Sequence, residues 1–178
     1  MIKFLFCLSA IMVANVLFGQ NCDFLRNEVD DMTGNKVIEL EPEKIYKKMK
    51  TRGPEKIDVN LMKVNNSVVL YIDQYLQGDA YSISEDDDVI MKFNDDSTLK
   101  LDNYNSEVAD YKKLGLSGAS TQWVVTYKIK LDESEINELT NKHIVKLRTY
   151  SSEGFIDFEV KDKFSKVLMN QISCINKD

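Results

Sequence analysis

Three groups of side chains in this sequence have types and spacings suited to chemistry. The first is Tyr71, Asp73 and Tyr75, with Tyr81 close behind. Residues two apart on a strand share a face, so this run would present two phenols flanking a carboxylate. Such an aromatic platform can hold a sugar ring by stacking and hydrogen bonds. The opposing account is a second packed sheet face, since tyrosine is common in strands. These four residues form the candidate ligand-binding set; no catalytic residue and no metal ligand is assigned.

The second group is acidic: Glu85, Asp86, Asp87 and Asp88, then Asp95 and Asp96. Oxygen ligands at this density suit Ca²⁺, but no window places acids at alternating positions with a Gly sixth and a Glu twelfth. A hairpin would also set the two clusters at opposite ends of one strand, so solvated turns are the better account. The third group is a set of single features. His143 follows a helix end and suits a packed or edge position better than a general base. The stretch Gly115-Leu116-Ser117-Gly118-Ala119 has the spacing of a serine-hydrolase elbow but lacks the preceding strand and following helix that the elbow needs. Lys44, Lys47, Lys48, Lys50, Arg52 and Lys56 form a basic patch able to meet an anionic glycan or lipid head group. Glu43 and Glu55 among them favour an ordinary mixed-charge surface. Phosphate-binding glycine loops and Cys/His metal spacings are absent, and no cofactor is implied.

The cysteines say where the chain works. Lys3 precedes an apolar run over residues 4–18, broken by Ser9 and Asn15, with no acid before Asp23. That order is a secretory signal peptide over residues 1–19, and the run falls short of the about 20 apolar residues of a membrane span. Cys7 leaves with it, so Cys22 and Cys174 remain as a pair in an oxidising compartment, and a disulfide between the two ends of the domain is expected. Two rivals stand beside it. Cys22 could be a lipidated N-terminal cysteine, although Gly19 and Asn21 do not suit that processing. Both thiols could instead lie free and buried in a reducing compartment.

Composition sets the outer bounds. The 178 residues are 43% hydrophobic and 29% charged, ordinary for a packed domain. Seven Gly and two Pro, about 5% together, fall below the usual combined share of about 12% and argue against linker-rich or collagen-like architecture. The net charge is −6, and losing residues 1–19 leaves 22 basic against 29 acidic residues, or −7. An acidic balance excludes the basic stripe of a nucleic-acid-binding surface. Residues 20–178 read as a single exported domain with no later membrane span.

Strands must carry most of these side chains. Residues 27–40 read as a hairpin turning at Gly34, and residues 41–56 as a polar segment with one short helical turn after Pro42 and a loop at Gly53-Pro54. Ile57, Val59 and Leu61 alternate, Asn65-Asn66-Ser67 turns, and an apolar strand follows over residues 68–75. Val89, Met91 and Phe93 share a face, as do Leu99 and Leu101. Val108, Tyr111 and Leu114 suggest a brief helix. The clearest strand has Trp123, Val125, Tyr127, Ile129 and Leu131 on one face and Gln122, Thr126, Lys128 and Lys130 on a wet one. Asp132 and Glu135 form a capping box. A strand over residues 143–150 and another with Ile156, Phe158 and Val160 lead to a final helix striped by Phe164, Val167, Leu168, Ile172 and Ile175.

The opening, residues 22–36 with Cys22, Phe24, Asn27-Glu28, Asp30, Thr33-Gly34 and Lys36, resembles a recurrent start in small exported, functionally uncharacterised proteins of the Bacteroidota. Many of those read Cys, an aromatic two places on, Asn-Glu-x-Asp, then Thr-Gly-x-Lys. The ending is similar too, a helix and strand and then a final helix with a Cys near its end. The resemblance implies a periplasmic or cell-surface location and transfers no catalytic residue.

The expected fold is α+β: an antiparallel sheet of about eight strands with the C-terminal helix packed on one face, or alternatively a two-sheet β-sandwich with a helical cap. The expected function is a non-catalytic binding or interaction module of the cell envelope, its partner an envelope protein or a glycan. The alternatives are a small glycan- or cell-wall-directed hydrolase using Asp73 with Asp79 or Glu85, and a calcium-stabilised module.

Overall fold

The computed structural model describes residues 22–51, 53–114 and 120–176. The signal-peptide reading of residues 1–19 and the elbow-like stretch 115–119 lie outside the described residues. Strands take up 57% of the described residues. In chain order they are β1 (Phe24–Val29), β2 (Lys36–Leu40), β3 (Glu43–Lys50), β4 (Gly53–Val64), β5 (Ser67–Leu76), β6 (Ser82–Ile83), β7 (Val89–Phe93), β8 (Thr98–Leu101), β9 (Glu107–Val108), β10 (Asp110–Leu114) and β11 (Ser120–Leu131). Helix α1 (Glu133–Asn141), β12 (Ile144–Ser151), β13 (Gly154–Glu159), a 3₁₀ turn (Asp162–Phe164) and α2 (Val167–Ile175) follow in the described residues. The fold is mostly antiparallel sheet with a C-terminal helix, as expected, but the described residues form thirteen strands in three sheets where about eight were anticipated.

The seven-stranded sheet runs β1-β2-β4-β5-β11-β10, with β3 also on β4. Strand β4 is twelve residues long, and two shorter strands share one of its edges. Strand β2 pairs with its far half, Val37 opposite Val64 and Glu39 opposite Met62. Strand β3 pairs with its near half, from Glu43 opposite Val59 to Lys50 opposite Gly53. Pro42, which has no N–H to give a ladder, sits at the junction between them. This corrects the helical turn expected after Pro42 and the loop at Gly53-Pro54. The four-stranded sheet runs β13-β12-β7-β8, and β6 pairs with β9. The brief helix expected around Tyr111 is instead the edge strand β10, with Val108 and Tyr111 exposed.

Turn chemistry sets the registers. Between β1 and β2, Asp30 Oδ1 accepts from the backbone N–H groups of Met32 (3.1 Å) and Thr33 (2.7 Å), and Gly34 takes the positive φ (+72°) that closes the loop. Between β4 and β5, Asn65 adopts φ +52° in a two-residue turn, a conformation Asn tolerates better than most residues. Asn65 Oδ1 also accepts from the Lys36 N–H (3.1 Å), tying this hairpin to the first.

One cluster forms the core. Ile57, Val59 and Leu61 of β4 and Leu70 and Ile72 of β5 pack with Met91, Phe93, Leu101 and Leu147 of the smaller sheet, all fully buried. Tyr127 joins the two sheets, its hydroxyl donating to the Tyr150 carbonyl at 2.8 Å. Helix α1 starts with the expected capping box: Asp132 Oδ1 accepts from the Glu135 N–H, and Glu135 Oε2 from the Asp132 N–H, each at 2.8 Å. Helix α2 buries Leu168, Ile172 and Ile175 against β2, β3 and β4. Its last carbonyls need partners, and Lys63 of β4 supplies one, Nζ donating to the Ile175 carbonyl at 3.1 Å.

The disulfide joins Cys22, just before β1, to Cys174 in α2, with Cα atoms 5.7 Å apart across a sequence separation of 152. Closing a loop of that size before folding removes denatured-state entropy worth up to about 5 kcal/mol. Reducing the bond, or replacing both cysteines by Ser, therefore lowers unfolding free energy by several kcal/mol, with about 5 kcal/mol as the ceiling. Urea unfolding of oxidised against reduced protein measures this directly.

Candidate functional site

Strand β5 alternates without interruption. Val68, Leu70, Ile72 and Gln74 face the core, while Tyr71, Asp73 and Tyr75 stand half-buried on the outer face. Tyr81 lies on the other side. It belongs to the core cluster, and its hydroxyl donates to the Gln74 carbonyl at 3.0 Å. Burial pushes that hydroxyl well above its ordinary value. The structure thus brings Tyr71, Asp73 and Tyr75 together and sets Tyr81 apart from them, behind the sheet.

The neighbouring strands complete the outer face. Reading from β4 through β5 to β11, the rows are Lys56–Tyr75–Val124, Asp58–Asp73–Thr126, Asn60–Tyr71–Lys128 and Met62–Val69–Lys130. Strand spacing holds neighbouring columns about 4.8 Å apart. The middle row sets two carboxylates directly opposite each other, which is unfavourable unless each finds compensation. Both do. Lys56 Nζ forms an ion pair with Asp58 Oδ2, and Thr126 Oγ1 donates to Asp73 Oδ1 at 2.7 Å. Asp58 is nine-tenths buried, and its Oδ1 has no hydrogen-bond partner.

Both tyrosines are tuned by these neighbours. The Lys56 ammonium sits 3.8 Å from the Tyr75 ring centroid, and Lys112 of β10 lies 5.7 Å from it. Burial, then the charges of Asp73 and Asp58, pushes the Tyr75 hydroxyl up to about 12. Burial raises the Tyr71 hydroxyl as well, with Tyr104 and Glu39 adding to the effect. Tyr104 is half exposed and is fixed by its N–H donating to the Lys128 carbonyl at 3.0 Å. Beside it opens a depression of about 500 Å³, lined by Ser67, Val69, Asp102 and Lys130 as well as by Tyr104 itself. Aromatic rings, carboxylates, ammonium groups and an amide (Asn60) therefore share one rigid surface.

The remaining candidates are spent on local structure. Asp87 Oδ2 accepts from the Ser84 N–H (2.8 Å), and Asp88 pairs with Lys100 (2.8 Å). Asp95 closes its own turn onto the Ser97 N–H (3.0 Å), and Asp96 pairs with Lys92 (2.6 Å). No group of three or more His, Cys, Asp or Glu among the described residues is arranged to hold a metal ion. The His143 N–H donates to Asn94 Oδ1 at 3.2 Å, next to the turn that ends β7. Lys44, Lys47, Lys48 and Lys50 lie along β3, with Lys50 paired to Glu55 at 3.2 Å; Arg52 lies outside the described residues. Gln122, expected on the wet face, is fully buried, because its side-chain amide donates to the Pro54 carbonyl beyond the end of β5.

Comparison with known proteins found no matching family model, no matching curated protein and no matching solved structure.

Two expectations follow for the outer face. Replacing Lys56 by Met leaves Asp58 buried beside Asp73 without its counter-charge, and stability should fall by about 3 kcal/mol, the low end for a broken buried pair. Adding Asp58→Asn should recover part of that loss in denaturant unfolding. The second expectation concerns alkaline pH. As pH rises, the unfolded chain gives up the Tyr75 proton near its ordinary 10.0 while the folded chain keeps it to about 12, so stability falls across that interval. Phenolate absorbance of the native protein, read as the difference from Tyr75→Phe, should show the late titration. Asp73→Asn should shift it back towards the ordinary value.

Proposed function

We propose that this chain is an exported binding module of the cell envelope that holds a glycan on the outer face of β4, β5 and β11. The observation that carries the reading is the Asp58–Asp73–Thr126 row set between the Tyr71 and Tyr75 rows on three long strands. A sugar ring offers C–H groups to an aromatic face and hydroxyls to carboxylates, amides and ammonium groups, all of which this face supplies. One face of Tyr75 is already occupied by Lys56, so Tyr104, which lines the depression with Val69 and Lys130, and Tyr71, in the next row of the ladder, are the stacking surface. Asp102 and Lys130 line the depression, Lys128 stands opposite Tyr71 in the ladder, and Asp73 lies on the same face one row further on.

The disulfide supports export, since such bonds persist in oxidising compartments. Among the described residues, no helix is long and apolar enough to cross a membrane. Binding rather than hydrolysis fits the pair of acids, because Asp58 is engaged by Lys56 and Asp73 by Thr126, whereas a glycosidase needs one carboxyl free to give a proton and a second free to attack or to activate water.

Titrating the oxidised, exported protein with cell-wall and surface oligosaccharides tests the reading by calorimetry. Saturable binding is expected, weakened about tenfold or more, or about 1.4 kcal/mol, by Tyr71→Ala and by Asp73→Asn. Binding that both variants leave unchanged would move the site elsewhere. Release of new reducing ends from the same oligosaccharides would replace a binding module with a hydrolase.

A further inference from the structure

The stacking surface contains a charge that the sheet leaves unmatched. Across the strands the order is Tyr71 on β5, Lys128 on β11 and then Tyr104, whose N–H donates to the Lys128 carbonyl at 3.0 Å. The Lys128 N–H turns the same way, donating to Asn103 Oδ1 at 3.0 Å. Both backbone groups of Lys128 therefore point away from β5. Lys128 and Tyr71 are thus a non-hydrogen-bonded pair, the closer of the two antiparallel kinds, with Cα atoms about 4.5 Å apart. A ring laid across the two tyrosines lies across this lysine. Lys130 follows two places on, on the same face, and lines the depression with Tyr104.

Neither lysine forms an ion pair among the described residues. The acids on this part of the face are engaged elsewhere. Asp73 accepts from the Thr126 hydroxyl, and Asp102 lies 3.5 Å from Lys100. Glu39 stands on β2, with β4 and β5 between it and β11. The four-stranded sheet treats its cations differently. On its outer face Lys92, Lys100, Lys146 and Arg148 each meet a carboxylate at 2.6–2.8 Å. On the large sheet Asp58 matches Lys56 in this way, while Lys128, half-buried, and Lys130, exposed, have no such partner.

Desolvation turns that difference into selectivity. A ring stacked on the tyrosines strips water from the Lys128 ammonium, and a covered charge without a counter-charge is costly. A neutral sugar returns only hydroxyl contacts. A sugar carrying a carboxylate or a sulfate supplies the counter-charge through charge-assisted hydrogen bonds, and its hydroxyls remain available to Asp73 and Asp102. We propose that the outer face selects acidic sugars, the anionic group of the ring meeting Lys128 and Lys130. This rests on the outer face being a sugar site and names the class of sugar it takes. The chain is itself acidic, with a net charge of −6, so bulk attraction works against such a ligand. A preference for it has to come from local cations.

Calorimetry on the oxidised protein with three related trisaccharides tests this. The probes are trigalacturonate, its neutral methyl ester, and galactotriose sulfated on its primary hydroxyls. At least one anionic form should bind about tenfold or more tightly than the ester, and added salt should narrow the gap. Which anionic form binds tighter tells carboxylate from sulfate. Lys128→Gln, and Lys130→Gln at an exposed position, should bring the anionic affinity down towards that of the ester and leave the ester itself unchanged. Lys146→Gln, on the other sheet, should alter neither. Equal affinity for acid, sulfate and ester would overturn the selection and leave the sugar site standing, whereas binding of none of the three would overturn both. Lysine variants that weaken the ester as much as the acid would reduce their role to structure and overturn the proposal. An equal effect of Lys146→Gln would reduce it to general charge attraction, with the same result.

Discussion

The architecture depends on how α2 is held against β4. That helix is nine residues long, with no side-chain cap at its start, and an isolated helix of this length is not stable in water. Its position comes from three kinds of bond acting together. Leu168, Ile172 and Ile175 supply apolar burial. The Gln171 amide and the Lys63 ammonium add directional hydrogen bonds to and from β4 and its neighbour. The Cys22–Cys174 bond makes the docking permanent by tying the start of the described chain to its end. With α2 in place, the split edge of β4, shared by β2 and β3, is covered on its core side. The strands that carry the outer face then have a fixed backing.

The outer face shows what a sheet can do as a positioning device. Asp58 and Asp73 are forced together by register, not by mutual attraction, since pairing is set by the turn at Asn65 and by the apolar residues that alternate with them. A one-residue slip would turn Ile57, Val59 and Leu61 out to solvent, at a cost far beyond the repulsion of two carboxylates. The fold can therefore hold like charges side by side, and the lysine and threonine flanking them reduce the penalty that remains.

Much of this was legible in the sequence, though not evenly. Pairing counted outward from the two-residue turn at Asn65-Asn66 puts Asp58 opposite Asp73 and Lys56 opposite Tyr75, so half of the grid could have been read from parity and one turn. Thr126 and Lys128 could not, because the pairing of β5 with β11 is a long-range contact that no local pattern encodes. The cysteine pair, the capping box at Asp132 and the alternation of β11 were all visible, each having a local or compositional signature. Strand β3 was hidden because lysines occupy four of its eight positions and only Ile45 is fully buried. Strand β10 reads as a helix in the sequence because Val108, Tyr111 and Leu114 fall three apart, although Val108, in β9, and Tyr111 are exposed. Tyr81 was assigned to the platform by proximity in sequence, but the parity of β5 does not carry through the loop after Leu76. Gln171 had no signal at all: a polar residue inside an apolar helical stripe reads as a gap, and only the carbonyls it meets give it meaning.

Two consecutive residues of β4 serve the two sides of the sheet. Asp58 points outward to Lys56 and the tyrosine face, while the next carbonyl, that of Val59, receives the Gln171 amide. The strand that fixes the acid row on one side thus fixes the amide of α2 on the other. Strand β4 lies between neighbours on both edges, and the side chains of Ile57, Val59 and Leu61 are fully buried, so it has little freedom to relay movement. Its part is to hold both sets of polar atoms at set distances. Asp58 Oδ1 and Gln171 Oε1 belong to a set of six buried side-chain polar atoms without a partner among the described residues, all of them on strands or on α2 and none in a loop. On a mobile segment such atoms would turn to water or to a neighbouring amide; on a central strand and a bonded helix they stay aimed where the fold puts them.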